Sequence, residues 1–220
     1  EARTVVRQAL EILTPAMPQR MEDGNTMLTH WTKKIIIEEG HSLAQLVHML
    51  QLLVRHYKVY YPVRHHLIQH MVASVQRLGF TPNASLEQRK IAVDLCEVIL
   101  RWELQRIREE QEQFTETVSA QPSSSTTGTT NAVSSPTPSA TTSESPTSTQ
   151  KHKLAQPPTT SSTSIAKPLT CDNKPVEKVH ADAVVNFLLR LACHASEVGN
   201  TLGSGELLSR RCINLLKIAL

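Results

Sequence analysis

A long stretch of serine, threonine, proline and alanine interrupts this chain between about residues 119 and 174. It has almost no large apolar side chains, so it cannot offset the entropy that a backbone loses on folding. We therefore predict a disordered insertion over 119–174, with helical repeats over 1–118 and 175–220. Helices that tolerate a long insertion between neighbours are typical of modular stacks of helical pairs rather than of one closed catalytic fold.

The composition favours helix-on-helix packing. The 220 residues are 40% hydrophobic but only 4% aromatic, so aliphatic side chains and methionine must supply the core. Only seven glycines occur, which argues against a β-barrel or a glycine-rich phosphate loop. The formal net charge of +3 is too small to require nucleic acid or an anionic membrane as a partner. No apolar run approaches the ~20 residues of a membrane-spanning helix.

The cysteines indicate a reducing compartment. Cys96, Cys171, Cys193 and Cys212 form no CxxC pair, and all but Cys171 lie in helical patterns among aliphatic residues. This predicts buried, reduced thiols in a cytosolic or nuclear protein. The chain starts without methionine and stops within an apolar helical pattern, so we expect an excerpt of a longer polypeptide whose targeting signals could lie outside it.

Apolar periodicity predicts five helices before the insertion. Their predicted bounds are Ala2–Leu13, 24–39, 43–57, Val63–Leu78 and a long helix that begins after residue 85. Pro15 should end the first helix because proline lacks an amide donor. Gly79 should close the fourth, and Ser85 with Gln88 forms a capping box for the fifth.

The apolar faces of these helices predict the core. The predicted buried residues are Leu28, Trp31, Ile35, Leu43, Leu46, Val47, Leu50, Leu53, Val54, Tyr57, Leu67, Ile68, Met71, Val72, Val75, Ile91, Leu95, Val98 and Trp102. The charged run 106–113 should project past the packed body into solvent, where only local ion pairs hold it.

Two further helices are predicted after the insertion. Pro175 can occupy the first turn of one helix, and a turn over 199–205 should precede the other. Their apolar faces are Val184, Phe187, Leu188, Leu191 and Ala195, and then Leu208, Cys212, Leu215, Leu216 and Ala219. Residues 90–100 and 210–220 share a pattern of basic, small, β-branched, Asp/Asn and Leu positions. This similarity predicts that both segments are second helices of HEAT-type pairs.

Few residues suggest chemistry. His66 and His70 have the i, i+4 spacing of helical zinc ligands, but the glutamate of HExxH and a convincing third ligand are missing. We therefore favour plain surface histidines. No nucleophile, phosphate-loop, dinucleotide or kinase signature occurs, and we predict no catalytic, cofactor-binding or metal-binding residue. Within the insertion, Ser135, Thr137 and Ser145 precede prolines and are candidate phosphorylation sites.

One corner of the chain mixes basic and aromatic residues. The segment 55–66 contains three tyrosines, two arginines and a lysine. A nucleic-acid surface could use such residues, with cations on phosphates and rings on bases. The plainer interpretation is a corner between helices where the tyrosines pack inward.

Whole segments carry a family resemblance. The stretch Met21–Ile107, beginning MEDGNTMLTHWTKKIIIEEGHSLAQLVHML, and the segment KPVEKVHADAVVNFLLRLACHASEVGN after the insertion resemble the Tra1-type pseudokinases of the phosphatidylinositol-kinase-related family. The resemblance implies a nuclear α-solenoid scaffold that anchors histone acetyltransferase assemblies of the SAGA and NuA4/TIP60 type. It also implies a surface for transcription activators, Myc-type among them, and a kinase-like domain outside this chain that has lost its catalytic residues.

We thus expect an all-α solenoid of HEAT-like pairs that is not an enzyme and needs no cofactor. Two alternatives stay open. One is a nucleic-acid-binding helical array that uses the 55–66 corner. The other is a regulatory solenoid arm of an active kinase of the same family.

Overall fold

A computed structural model of the chain describes residues 2–38, 42–119, 173–198 and 203–220. Within these ranges it contains eight α-helices, one 3₁₀ segment and no strand, which confirms the all-α class. The elements are α1 (Ala2–Arg20), α2 (Gly24–Glu38), α3 (Leu43–Arg55), α4 (Tyr57–Tyr60), the 3₁₀ segment (Tyr61–His66), α5 (Ile68–Phe80), α6 (Leu86–Ser119), α7 (Lys178–Val198) and α8 (Ser204–Ala219). None of these helices combines the length and apolar character needed to span a bilayer.

The helices form two rows. Helix α2 packs on α3, α5 on α6, and α7 on α8, so each of these pairs is a helical hairpin. The first helices, α2, α5 and α7, contact one another in series, and so do the second helices, α3, α6 and α8. Two layers built from consecutive helical pairs are the architecture of an α-solenoid, as predicted. The internal similarity is also explained, because α6 and α8 are the second helices of neighbouring pairs.

The prediction for α1 was wrong at its end. The helix continues to Arg20 with Pro15 and Pro18 inside it. Two polar residues join α1 to the segment after α3. Thr14 is buried and forms a hydrogen bond with the Tyr60 hydroxyl, and Glu11 forms an ion pair with Arg55 at the end of α3. Tertiary packing therefore overrides the local preference of proline to end a helix.

The turn between α1 and α2 depends on close backbone approach. A Cβ atom at Gly24 would lie 2.1 Å from the carbonyl oxygen of Met17 and 2.6 Å from the Cα of Pro18. No larger residue fits there unless the backbone moves. Glycine at this position therefore fixes how closely α2 follows α1.

The buried face of α2 differs from the predicted one. Leu28, Thr32 and Ile36 are buried, whereas Trp31 is 49% exposed and Ile35 is half-buried. Thr32 belongs to the buried face because its hydroxyl donates to the Tyr60 oxygen at 3.3 Å, a polar contact that apolar periodicity does not predict. In α3, Leu46, Leu50 and Leu53 are buried as predicted, whereas Leu43 lies on the surface and Val47 and Val54 are half-buried. The predicted helix 43–57 ends earlier, at Arg55, and the half-buried Tyr57 begins α4.

The predicted fourth helix is divided in two. Residues Tyr61–His66 form a 3₁₀ segment with Pro62 near its start, and α5 begins only at Ile68. Every predicted core residue from Leu67 to Val75 is nevertheless buried. Gly79 does not end α5, which continues to Phe80. Instead, it allows α7 to approach, since a Cβ there would lie 2.2 Å from the ring of Phe187.

Helix α6 forms the centre of the second row. The capping box is confirmed: the Ser85 amide donates to Gln88 Oε1 at 3.0 Å, and the Gln88 amide donates to Ser85 Oγ at 3.2 Å. The predicted stripe is buried throughout. The charged run is not wholly in solvent, because Arg106 is only 8% exposed and belongs to the packed body.

The helices after the insertion bury the predicted faces, except that Leu216 and Ala219 are half-buried. Pro175 does not start α7, which begins three residues later at Lys178. The residues before α7 pack against α6 instead, through a bond from the Val176 amide to Glu103. Gly203, with φ of 65°, leads into α8. The predicted insertion lies outside the described residues apart from Ser119, the last residue of α6, and Asn173–Lys174.

Candidate functional site

The corner between α3 and α5, residues 55–66, is the region that the sequence singled out. Tyr60 is fully buried, and the Thr32 hydroxyl donates to its oxygen at 3.3 Å. Burial raises the pKa of Tyr60 despite the hydrogen bonds from Thr32 and Thr14. Tyr60 therefore stays a neutral phenol that joins α1, α2 and α4 at one point.

Tyr61 and Arg64 form a second internal cluster. The Tyr61 hydroxyl donates to Glu109 Oε2 on α6 at 2.7 Å. The guanidinium of Arg64 lies 4.1 Å from the centre of the Tyr61 ring and donates to the Tyr61 carbonyl at 3.0 Å. It also donates to Asn173 Oδ1 at 3.3 Å, at the point where the chain returns after the insertion. With 1% exposure, Arg64 acts as a core residue.

Tyr57, the remaining tyrosine of the corner, also contacts α6. Trp102 on α6 is fully buried and donates its indole N–H to the Tyr57 carbonyl at 2.8 Å. Arg101 lies over the Tyr57 ring at 5.4 Å. Beside it, Arg55 and His56 both pair with Glu11 of α1. The aromatic rings of the corner therefore pack between helices, which confirms the plainer interpretation of this segment.

A charged cluster fixes the returning chain to α6. Arg106 pairs with Glu103 and Glu110, both at 2.8 Å, and hydrogen bonding to Glu103 is the main reason that its pKa is raised. The second oxygen of Glu103 accepts the Val176 amide at 3.1 Å. Glu103 thus joins the chain on the two sides of the insertion.

A second ion cluster joins α6 to α8. Arg211 on α8 lies 2.5 Å from both Asp94 and Glu97 on α6. Burial alone would raise the pKa of Glu97, but hydrogen bonds and charge from Arg211 and Arg101 outweigh it and hold the pKa below its usual value. The ion pair between Glu97 and Arg211 therefore stabilises the contact between neighbouring second helices only while Glu97 is ionised.

The two histidines with zinc-like spacing are not on one α-helix. His66 ends the 3₁₀ segment and is exposed, whereas His70 lies in the first turn of α5. Burial and the nearby Lys33 lower the pKa of His70. Among the described residues, no group of three or more His, Cys, Asp or Glu side chains is placed to hold a metal ion.

The cysteine prediction was wrong for one residue. Cys96 and Cys212 are buried, and burial raises their thiol pKa, to about 11 for Cys212. Cys193 on α7 is exposed and lines a groove beside the end of α5. Cys171 and the candidate phosphorylation sites Ser135, Thr137 and Ser145 lie outside the described residues.

The surface formed by the described residues includes two open grooves. One, of about 480 Å³, runs along the outer face of α2 beside His66 and is lined by His30 and Lys33. The other, of about 670 Å³, lies between the end of α5 and the second half of α7. Both are shallow features of a helical surface rather than enclosed catalytic cavities.

The comparison with protein families shows which family this helical stack belongs to. The model of the Tra1 HEAT repeat ring region matches residues 1–220. The chain belongs to the Tra1 ring family. The family resemblance drawn from the sequence is confirmed, and the helical pairs of the stack are HEAT repeats of the Tra1 ring. The comparison with solved structures gives no significant match.

Relatives of this Tra1 ring segment carry names from transcription. The transformation/transcription domain-associated protein of Homo sapiens is 52% identical over 225 residues, which cover all of this chain. Transcription-associated protein 1 of Drosophila melanogaster is 47% identical over 223 residues, again across the whole chain. The SAGA complex/NuA4 acetyltransferase complex subunit TRA1 of Saccharomyces cerevisiae is 30% identical over 105 residues, or 47% of the chain. The chain spans 6% of the length of the human and fly relatives.

Proposed function

We propose that this chain is a non-catalytic scaffold segment of a transcription coactivator, which works in the nucleus within SAGA-type and NuA4/TIP60-type histone acetyltransferase assemblies. The printed name of the yeast relative supports the assemblies, and the names of the human and fly relatives support transcription. All 220 residues match the same family, which supports a scaffold role in transcription for this chain as well.

The scaffold proposal rests on the observation that the polar residues of the chain make contacts between helices. Tyr61, Arg64 and Arg106 join the 3₁₀ segment, α6 and the returning chain, and Arg211 joins α6 to α8. An enzyme brings such groups together at a cleft where substrate can reach them. Here they hold the rows of helices in place and leave the outer faces for contact with other proteins.

The finer parts of the proposal come from the family resemblance. They are that the outer surface receives transcription activators, Myc-type among them, and that the intact protein carries a kinase-like domain without catalytic residues. A regulatory arm of an active kinase is the alternative, and intact phosphate- and metal-binding residues in that domain would favour it. The nucleic-acid alternative loses its main support, because Tyr57, Tyr60 and Tyr61 pack inside the corner.

Crosslinking mass spectrometry on the intact assembly tests the scaffold role. The intact protein is purified from nuclei through an affinity tag and treated with a lysine-reactive crosslinker. Lys34, Lys58 and Lys178 are exposed on different helices and report on different faces of the stack. We expect crosslinks from at least one of them to other subunits of an acetyltransferase assembly.

A variant of the intact protein provides the control. Leu50→Asp places a charge in the core of α3, and the intersubunit crosslinks of the stack should be lost while those from distant regions persist. Recovery of the protein with no acetyltransferase subunit, or crosslinks only within its own chain, would contradict the proposal.

A further inference from the structure

The larger groove is lined by both apolar and basic side chains. We call Phe80, Pro82 and Leu189 its apolar floor, and Arg89, Arg190 and His194 its basic rim. Phe80 is fixed in place, because it packs edge-on against the buried ring of Phe187 with 5.2 Å between the ring centres. The groove thus combines a rigid aromatic surface with two permanent positive charges.

The arginines of this groove have no carboxylate partner within the described ranges. The guanidinium of Arg190 lies over the Phe80 ring at 4.4 Å, a contact that leaves its N–H groups available. The Nε of Arg89 is buried, and no described atom accepts its hydrogen. By contrast, the buried arginines Arg64 and Arg106 each make several hydrogen bonds.

We propose that this groove binds a short acidic peptide segment of a partner protein that carries a large apolar side chain. The inference rests on the scaffold role and names the chemistry of one of its partners. Carboxylates of the peptide pair with Arg89 and Arg190, since planar guanidinium groups bind carboxylates through two hydrogen bonds at once. The apolar side chain of the peptide packs on Phe80 and Leu189.

The size of the groove supports a short segment. A volume of about 670 Å³ lies in the range of peptide- and ligand-sized sites, so it holds a few residues and not the side of a folded domain. The apolar floor favours a peptide over a nucleic acid, which would need a basic track continued along its phosphates. Charge and shape therefore point to the same occupant.

Fluorescence anisotropy tests this proposal. The probe is a labelled eight-residue peptide that alternates Asp or Glu with Phe or Leu, titrated with the 220-residue chain. We expect saturable binding that Arg190→Glu weakens by about tenfold or more, because a charge-assisted hydrogen bond becomes a repulsion. Arg190 lies on the surface, so circular dichroism should show the variant folded.

The matched control is Arg108→Glu, the same reversal of an exposed arginine on α6. Residues 89 and 108 are 19 positions apart, which is about 28 Å along a helix, so this variant should bind the peptide as the unaltered chain does. A second probe with alanine in place of every Phe and Leu should bind about tenfold more weakly if the floor contributes.

Absence of saturable peptide binding would overturn the proposal. So would binding that is unaffected by Arg190→Glu, an equal loss in Arg108→Glu, or tighter binding of a labelled oligothymidine than of the peptide. The crosslinking experiment separates the two proposals. Crosslinks to acetyltransferase subunits without peptide binding refute only the groove, and peptide binding without those crosslinks refutes only the assembly role.

Discussion

Gly79 is the most informative position for the contact between neighbouring first helices. It lies in the last turn of α5, where intrinsic propensity alone predicts that Gly79→Ala would stabilise the helix by about 1 kcal/mol. The structure predicts the opposite. The new Cβ would lie 2.2 Å from Cε2 and 2.6 Å from Cζ of Phe187, far inside contact distance.

The ring of Phe187 cannot move away easily. It is fully buried on α7 and packs edge-on against Phe80, so the clash must separate α5 from α7 or force a side chain from its rotamer. Overpacking of this kind costs typically about 1–3 kcal/mol. After the propensity gain of about 1 kcal/mol is subtracted, Gly79→Ala should destabilise the chain by up to about 2 kcal/mol.

Chemical denaturation followed by circular dichroism measures this change in the 220-residue chain. A double-mutant cycle with Phe187→Ala isolates the clash. Phe187→Ala alone should cost about 3–5 kcal/mol, and in that background Gly79→Ala should become neutral or stabilising. A stabilising Gly79→Ala in the unaltered chain, or the same effect in both backgrounds, would refute the α5–α7 packing described above.

Other regions of the chain give the remaining predictions. Leu50→Asp should lower the free energy of unfolding by at least about 4 kcal/mol, because it puts an unpaired charge at a fully buried site; an unchanged melting temperature would show that α3 faces the other way. Arg211→Leu should cost about 1 kcal/mol at pH 7, since solvent screens the partly exposed pair. The pKa of Glu97 is lowered on folding, so its ion pair with Arg211 stabilises the fold above about pH 4.3 and ceases to do so as the pH falls further. If the cost of Arg211→Leu did not depend on pH, this reasoning would be wrong. Replacing 120–172 with about 15 Gly/Ser residues should preserve helical circular dichroism, because closure cost grows slowly with loop length, and a protease should cut the natural chain there first; initial cleavage within α3 or α5 would argue otherwise.

Periodicity predicted the aliphatic core well. The stripes of α6 and α7 are buried as expected, since apolar side chains gain free energy on any face that leaves water and their spacing marks that face. The helical-pair architecture also followed from the sequence, through the long insertion and the similarity of α6 to α8.

The errors occurred where polar residues are buried. Thr14, Thr32 and Arg106 were left out of the core because a single sequence does not show which partner will satisfy a buried polar group. Tyr61 and Glu109 are 48 positions apart, and Arg211 and Glu97 are 114 apart. Other long-range contacts, from Thr14 to Tyr60 and from Glu11 to Arg55, hold α1 in place just before its first proline.

The groove between the end of α5 and α7 could not be predicted from the sequence either. Arg89 and Arg190 lie in different helical pairs on the two sides of the insertion, and nothing in their local sequence brings them together. Only the approach of α7 to the end of α5, permitted by Gly79, creates their shared rim. The sequence pattern also does not show that Arg89 and Arg190 lack carboxylate partners among the described residues, whereas Arg106 has two.

Consecutive helical pairs of this chain stack in two rows, and we propose that the outer faces of these rows bind other subunits. Electron cryomicroscopy of the intact protein in its assembly tests this most directly. We expect density for α2, α5 and α7 side by side in one row and for α3, α6 and α8 in the other, with neighbouring subunits on the outer faces. A map in which α7 and α8 pack away from α5 and α6, or in which these residues close around a substrate, would contradict this arrangement and the scaffold role.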